Sequence, residues 1–409
     1  MKILNLIVLL SLVTLYTSCQ KSTEPIETDK PLPGYQEDIP WPSIADSPWP
    51  IHHGDPQNTG RSDLSGPITG SIRFSLDSVV IGSGPTIGPD SIFYFVSTGI
   101  RPGFFAYDYD GRLKWQFPLA NLPGDEVGTP LIAANKTIYF NYPPSGNLYA
   151  INPDGSLKWK IADRRYVGIS LNIGLDGVLY IFDENRSLLA IDQNGTIKWE
   201  FPSTDFFTYT TTFSTDGKTI YILGSFDKGV YAVDIQQQQI KWSFGIARSF
   251  ASPVVDAKGN IYVIASLDST GVNTHGLYAL DEDGQIKWSY KFGEKDGLYY
   301  SPTIDKIGNL YFGGRTLHSV DYQGNFRWKV ETSEWISSPL VCDNNSNIYS
   351  TTIDWDNYKV SVVSYDSEGN LLWESIIHDY REGFFSPAIG HDNTLIIAPL
   401  RSNFIHAIK

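Results

Sequence analysis

Short runs in which apolar and polar residues alternate are the dominant pattern of the chain. Two such runs, joined by an Asp-Gly, Asn-Gly or Glu-Gly turn in most copies, form a segment that ends in tryptophan and occurs seven times. Alternation with a glycine turn predicts a β-hairpin. The segments occupy residues 104–115, 148–159, 188–199, 230–242, 277–288, 317–328 and 362–373.

A second segment, which begins with a small residue and often proline, precedes each hairpin. Its eight copies predict two further strands per repeat, starting at Gly84, Thr129, Ser170, Thr211, Ser252, Ser301, Ser338 and Ser386. Four short strands in a repeat of 40 to 46 residues indicate a propeller blade. Half-motifs at 71–76 and 404–409 complete an eighth blade. We therefore predict an all-β fold, an eight-bladed propeller of four-stranded antiparallel blades, closed by pairing of the N-terminal and C-terminal strands.

One tryptophan stands at the same place in each of seven repeats. A side chain of this size suits the wedge between adjacent sheets, so we expect these residues to dock neighbouring blades. They are Trp115, Trp159, Trp199, Trp242, Trp288, Trp328 and Trp373.

The N-terminal region differs from the repeats. Residues 1–18 are typical of a lipoprotein signal peptide, which makes Cys19 the expected lipidation site, and Gln20 after it favours the outer membrane. Residues 19–48 are rich in Pro, Glu and Asp and predict a flexible lipidated tether, leaving 49–409 as the propeller. Cys342 is the one other cysteine, so no intramolecular disulfide is expected after lipidation.

The formal net charge of −14 disfavours nucleic acid as a partner, because phosphate binding relies on clustered Lys and Arg. Neither a nucleophile elbow nor a glycine-rich phosphate loop is present. His52 and His53 followed by Asp55 fit no strong metal pattern, and the Asp-rich turns at 108–111, 281–284 and 343–347 are interpreted as hairpin turns rather than calcium loops. No metal site and no catalytic residue are assigned.

The repeat resembles the tryptophan-docking motif of the quinoprotein (PQQ-like) propellers, Ala-x-Asp-x-x-x-Gly-x-x-x-Trp, with a turn shorter by one residue in most copies. Residues 49–62 are also similar to the segment that precedes the first strand in bacterial PQQ-like repeat proteins. That superfamily contains calcium- and quinone-dependent dehydrogenases and non-catalytic scaffolds, among them the lipoprotein of the outer-membrane barrel-assembly machinery. This chain has neither the vicinal cysteine pair of the dehydrogenases nor their long insertions. The resemblance therefore implies a scaffold that needs no cofactor, with PQQ and calcium as the disfavoured alternative.

Aromatic and basic residues precede the innermost strands of the predicted blades 3 to 8. These positions should surround one mouth of the central channel, where the side chains either bind a partner or plug the channel. The candidate partner-binding residues are Arg165, Tyr166, Phe207, Tyr209, Phe250, Tyr299, Tyr300, Trp335, Phe384 and Phe385. The loops 264–276 and 351–361 are expected on the same face.

Three functions remain open on the sequence. The first is a monomeric, non-enzymatic scaffold anchored by lipid in the outer membrane, on its periplasmic side, and binding an envelope protein. The second is a glycan-binding surface lipoprotein. The third is a quinone-dependent oxidoreductase.

Overall fold

The computed structural model describes residues 32–77, 80–98, 101–122, 127–162, 164–203, 205–206, 210–225, 228–245, 249, 251–266, 275–293, 300–332, 334–357, 359–377, 385–398 and 404–409. The predicted signal peptide and the predicted lipidation site, Cys19, lie outside the described residues. Within it, no helix is long and apolar enough to span a bilayer. Residues from Gly34 onward form one compact unit.

Thirty-four strands occur in the described residues, and they are numbered in chain order. They are β1 (Ile72–Leu76); in blade 1, β2 (Val80–Ile81), β3 (Thr86–Ile87), β4 (Ile92–Thr98), β5 (Gly103–Asp108) and β6 (Leu113–Pro118); in blade 2, β7 (Leu131–Ile132), β8 (Ile138–Tyr142), β9 (Asn147–Ile151) and β10 (Leu157–Ile161); in blade 3, β11 (Tyr166–Ile173), β12 (Leu179–Asp183), β13 (Leu188–Ile191) and β14 (Ile197–Phe201); in blade 4, β15 (Thr212–Phe213), β16 (Thr219–Leu223), β17 (Val230–Asp234) and β18 (Gln239–Phe244); in blade 5, β19 (Val254–Val255), β20 (Ile261–Ser266), β21 (His275–Leu280) and β22 (Ile286–Phe292); in blade 6, β23 (Thr303–Ile304), β24 (Leu310–Gly313), β25 (Thr316–Val320) and β26 (Phe326–Glu331); in blade 7, β27 (Trp335–Ile336), β28 (Val341–Cys342), β29 (Ile348–Asp354), β30 (Lys359–Tyr365) and β31 (Leu371–Ile377); and in blade 8, β32 (Ala388–Gly390), β33 (Thr394–Ile397) and β34 (Ile405–Ile408).

The strands form eight antiparallel sheets, one for each predicted blade. In blades 1 and 7 the innermost strand consists of two short pieces that pair with the same second strand. The predicted eight-bladed propeller is confirmed.

Ring closure takes place in blade 8, where the first strand of the chain pairs with the last. β1 lies antiparallel to β34, with Phe74 opposite Ala407 and Leu76 opposite Ile405. Ser71 and Lys409 exchange both backbone hydrogen bonds at 2.8 and 2.9 Å. The predicted closure is therefore confirmed, and it removes the two edges that an open ring would expose.

The repeated tryptophan lies on the outer strand and reaches the following blade. Within its own blade it faces a buried small residue, as Trp115 faces Ala106. Its indole N–H donates to a carbonyl of the next hairpin turn, from Trp115 to Pro153 at 2.9 Å and from Trp242 to Glu282 at 2.7 Å. The small residue leaves room for the ring, and the ring joins two blades.

The turn glycine of the next blade lies directly against this indole ring. A Cβ atom on Gly284 would lie 2.7 Å from the ring of Trp242, and the residue has a φ of +78°. Both conditions require glycine. The turn at 234–239 has none, and there Gln238 adopts the left-handed conformation, with a φ of 54°.

Residues 34–48 are packed against the blades, which corrects the predicted tether. Trp41 is only 7% exposed, its ring centroid is 5.2 Å from that of Phe213, and its indole N–H donates to Ile173 at 2.8 Å. Gln36 is fully buried and accepts a hydrogen bond from Ala257 N–H at 2.8 Å. The polar composition of this stretch did not predict the packing, because the contacts are made by backbone groups and a few large side chains.

Residues 34–64, here called the basal segment, close the channel at the end where the first and second strands of each blade are joined. Backbone carbonyls of Trp49, Pro50, Pro56, Gln57, Thr59 and Gly60 accept hydrogen bonds, in that order, from blades 1, 2, 4, 5, 6 and 7. Pro56 also accepts from the side chain of Asn172 in blade 3, at 3.1 Å. The donors in the six blades share one repeat position and are Ile87, Ile132, Phe213, Val255, Ile304 and Cys342.

Candidate functional site

The predicted aromatic rim lies at the end of the channel opposite the basal segment. Five of its ten proposed residues are described, namely Arg165, Tyr166, Tyr300, Trp335 and Phe385. The other five lie outside the described residues and are Phe207, Tyr209, Phe250, Tyr299 and Phe384.

Blade 3 contributes a cation rather than an aromatic ring to the rim. Tyr166 is fully buried because β11 begins at this residue and turns the ring into the core between blades. The neighbouring Phe206 is also fully buried. Tyr166 is therefore not available to a partner in this conformation, whereas Arg165 is exposed.

Tyr300, Trp335 and Phe385 enter blades 6, 7 and 8 in succession and are all half-buried. Each packs one side against a hydrophobic core. The Tyr300 hydroxyl donates to the backbone carbonyl of Ser337 at 2.8 Å, which joins blade 6 to blade 7. These rings thus contribute to packing and also keep part of their surface accessible.

Charged side chains surround Trp335, and the sequence analysis missed them. The guanidinium group of Arg315 lies 5.7 Å from the Trp335 ring centroid. Glu334 is 7% exposed, accepts a hydrogen bond from the Thr352 hydroxyl at 2.9 Å and pairs with Lys359 at 3.2 Å. The sequence feature that could have indicated Arg315 is the turn Gly313-Gly314-Arg315, in which two glycines precede a cation.

The hairpin tip of blade 7 adds a second tryptophan to this region. β29 and β30 stay paired up to Asp354 and Lys359, so the loop is only 355–358 and not the predicted 351–361. Trp355 in this loop is 48% exposed. Trp335 pairs with Ile353, two residues before Trp355, so both indoles belong to the same end of blade 7. We call Tyr300, Arg315, Trp335 and Trp355 the rim cluster.

Hydroxyl groups occur along the inner strands below the rim. The small residues that start these strands are buried, among them Thr211 at 1% and Ser338 at 0% exposed. The side-chain oxygens of Thr86, Thr129 and Thr211 are buried without a hydrogen-bond partner in the described structure. Uncharged polar groups are thus buried at these positions of the inner strands.

The histidine pair lies in the basal segment. Both ring nitrogens of His53 contact backbone carbonyls, Nδ1 that of Asn58 at 2.7 Å and Nε2 that of Leu340 at 2.9 Å. Burial, together with the neighbouring His53, lowers the pKa of His52 to about 3. Burial raises the pKa of Asp55, whose carboxylate accepts backbone N–H bonds from Gln57 and Thr59, both at 3.0 Å. His53 thus ties the basal segment to blade 7, and Asp55 fixes the turn within the segment.

The aspartates of the hairpin turns accept hydrogen bonds from backbone N–H groups of the same turn. Asp281 accepts the backbone N–H groups of Asp283 and Gln285 at 3.1 and 2.8 Å, and Asp343 does the same with Asn345 and Asn347 at 2.9 Å. In the described part of the chain, no group of three His, Cys, Asp or Glu residues is placed to hold a metal ion.

These features define a closed β-propeller built from tryptophan-docking repeats of the quinoprotein type. A family model described as "Outer membrane protein assembly factor BamB" matches residues 184–305, from blade 3 to the start of blade 6. The match covers less than a third of the chain and supports the resemblance of its repeats to the PQQ-like β-propeller family. No curated protein matches it.

Solved structures share the fold at low sequence identity. BamB from Moraxella catarrhalis is 14% identical, with a TM-score of 0.59 over 83% of this chain and 100% of that one. The Dos1 propeller is 10% identical, with a TM-score of 0.58 over 84% and 95%. Dihydro-heme d1 dehydrogenase NirN is 13% identical, with a TM-score of 0.56 over 73% and 66%. These similar folds include proteins named as an assembly factor and as an enzyme, so the fold alone does not assign an activity.

Proposed function

We propose that the protein is a non-enzymatic scaffold of the cell envelope that binds a partner protein through the rim cluster. The observation that carries this proposal is the arrangement at blade 7, where Trp355 is 48% exposed and Arg315 lies 5.7 Å from the Trp335 ring. Tryptophan and arginine are the residues most enriched at binding hot spots. The Trp335 ring packs on one side against a hydrophobic core, so little of its side-chain entropy is lost on binding.

The family supports a scaffold over a quinone enzyme. The matching family model is named for an assembly factor. The sequence lacks the vicinal cysteine pair expected under a quinone. We therefore propose that no PQQ or calcium is required. Lipid attachment at Cys19 would place the propeller at the outer membrane. We favour its periplasmic side because the proposed partner is an envelope protein.

Glycan binding is the second candidate, and one observation favours it. The hydroxyls of Thr86, Thr129 and Thr211, on or beside the innermost strands of blades 1, 2 and 4, are buried without a hydrogen-bond partner in the described structure. Aromatic rings with nearby hydroxyls are suited to stacking on, and hydrogen bonding with, a sugar.

The test is capture from cross-linked cell envelopes with the intact lipoprotein. Trp335→Ala should reduce recovery of the partner about tenfold, a loss of roughly 1.4 kcal/mol in binding. Phe326→Ala is the matched control, because Phe326 is 55% exposed on the outer strand of blade 6, away from the rim. Equal capture by both variants would contradict the rim proposal, and recovery of a polysaccharide without protein would favour the glycan candidate.

A further inference from the structure

The outer strand of every blade is a free sheet edge on the circumference of the propeller. In the part of the chain that the structure describes, each of these strands pairs with a neighbour on one side only; they are β1, β6, β10, β14, β18, β22, β26 and β31. A free edge presents unpaired N–H and C=O groups, and natural proteins protect such edges with bulges and charged residues, lysine above all.

Seven of the eight outer strands carry this protection at one repeat position. The register shifts there, and the residue before the docking aromatic is basic; these residues are Arg73, Lys114, Lys158, Lys198, Lys241, Lys287 and Arg327. β31 has the same register shift, but the residue is Leu372, which is 49% exposed. Several of these basic side chains lie across their own blade, as Lys158 donates to Thr137 at 2.9 Å and Lys241 to Thr219 at 3.3 Å. Blade 7 has an apolar side chain at this position instead.

Leu372 belongs to an exposed apolar stripe on β31. Leu371 is 53% exposed and Ile376 is 45% exposed, whereas Trp373 and Ile377, which point the other way, are buried. Glu374 lies between the exposed residues and bonds to Lys359 at 2.7 Å and to the Ser361 hydroxyl at 2.6 Å. The hydrogen bond from Lys359 lowers the pKa of Glu374, so this carboxylate is ionised at neutral pH and is paired with the Lys359 ammonium group.

We propose that β31 is a docking edge for an extended segment of a partner protein. The segment adds a strand antiparallel or parallel to β31, its apolar side chains cover Leu372 and Ile376, and a basic side chain lies opposite Glu374. The occupant is basic because the whole chain has a net charge of −14 and because Lys359 and Ser361 both bond to Oε1 of Glu374, which leaves Oε2 to face a basic side chain of the partner. A second copy of this chain is a less favourable occupant. An antiparallel pair of β31 strands with Leu372 opposite Ile376 would place the two Glu374 carboxylates opposite each other, and like charges in that position are destabilising.

Leu372 and Ile376 are not members of the rim cluster, although Lys359 pairs both with Glu374 on the edge and with Glu334 beside Trp335. The edge is therefore tested with a peptide, without the rim partner. The probe is a fluorescein-labelled seven-residue peptide, Thr-Ile-Thr-Lys-Thr-Ile-Thr, and binding is measured by fluorescence anisotropy with the full chain. Wild-type protein should bind it saturably. A peptide with Glu in place of Lys should bind about tenfold more weakly, and a peptide with alternate backbone nitrogens methylated should not bind, because it cannot pair with the edge.

Leu372→Lys restores the residue type of the other seven edges and should weaken peptide binding about tenfold or more. Leu113→Lys is the matched control, since Leu113 is 46% exposed on the outer strand of blade 1, and it should bind as the wild type does. Circular dichroism checks that both variants are folded.

Equal binding by wild type and Leu372→Lys, or no saturable binding by wild type, would overturn the proposal. So would a dimer, seen by sedimentation equilibrium, that Leu372→Lys dissociates, because the occupant would then be a second copy. Trp335→Ala should leave peptide binding unchanged, so failure of the rim proposal and failure of the edge proposal give different results.

Discussion

Replacement of Trp41 by alanine distinguishes a docked basal segment from a flexible tether. A buried tryptophan removes about 150–250 Å² from water, worth about 4–6 kcal/mol at roughly 25 cal/mol/Å². Residual burial in the unfolded chain reduces this by roughly 10–40%. With Trp41 7% exposed, packed on Phe213 and donating to Ile173, we expect a loss of about 3–5 kcal/mol in the free energy of unfolding.

Urea denaturation followed by far-UV circular dichroism measures this loss, provided that the slope of the transition is unchanged. Trp41→Phe keeps a ring against Phe213 but leaves the Ile173 carbonyl without its donor, and should cost about 1–2 kcal/mol. Trp355→Ala is the control, because a tryptophan that is 48% exposed should cost far less. If Trp41→Ala were no more destabilising than Trp355→Ala, the segment would be undocked in solution and our assignment of residues 34–48 would be wrong.

The remaining predictions concern the blade contacts, the histidine and the ring closure. Gly284→Ala should lower the free energy of unfolding by about 2–4 kcal/mol, because the new Cβ would lie 2.7 Å from the Trp242 ring and the backbone φ is +78°. Gly245→Ala should be near neutral, since a Cβ there would have nothing within 4 Å. Equal effects of the two variants in thermal melts would refute the docking argument. His52 has a pKa of about 3 in the folded state and roughly 6.5 in the unfolded chain. Between these values the unfolded chain binds more protons, so the free energy of unfolding falls as the pH drops below 6.5. The loss by pH 5 should be about 1–2 kcal/mol, reduced because the ring is partly exposed, and His52→Gln should flatten this pH dependence in urea titrations. Deleting residues 404–409 removes the partner of β1 and should lower the melting temperature sharply or cause aggregation; an unchanged melting curve would contradict closure by this strand.

The repeats made the architecture predictable from the sequence. The Trp spacing and the complementary halves at 71–76 and 404–409 predicted eight blades and the closing pair, because local alternation and turn chemistry encode both. The docking of residues 34–48 was missed, since composition reports average polarity and not the few groups that bind. Two Trp-Pro pairs, at Trp41 and Trp49, were the overlooked signal, because tryptophan is rare in a flexible tether.

The rim was predictable only in part. The position of an aromatic residue before an inner strand indicates which end of the channel it occupies, but not which way its ring points. Tyr166 starts β11 and is fully buried in the core between blades, whereas Trp335 starts β27 and stays half-buried. Arg315 and Trp355 were missed because they come from the turn between the second and third strands, where no repeat pattern marks them.

The basal segment also bears on how such a protein can evolve. New propellers arise readily by duplication or loss of a blade, since each repeat contacts only its neighbours. Here residues 49–60 place successive carbonyls against successive blades, so their length matches one particular ring. A ninth or a missing blade would shift the donors away from these carbonyls. The number of blades is thus constrained by about a dozen residues outside the repeats, and a change in that number requires two simultaneous changes in the gene.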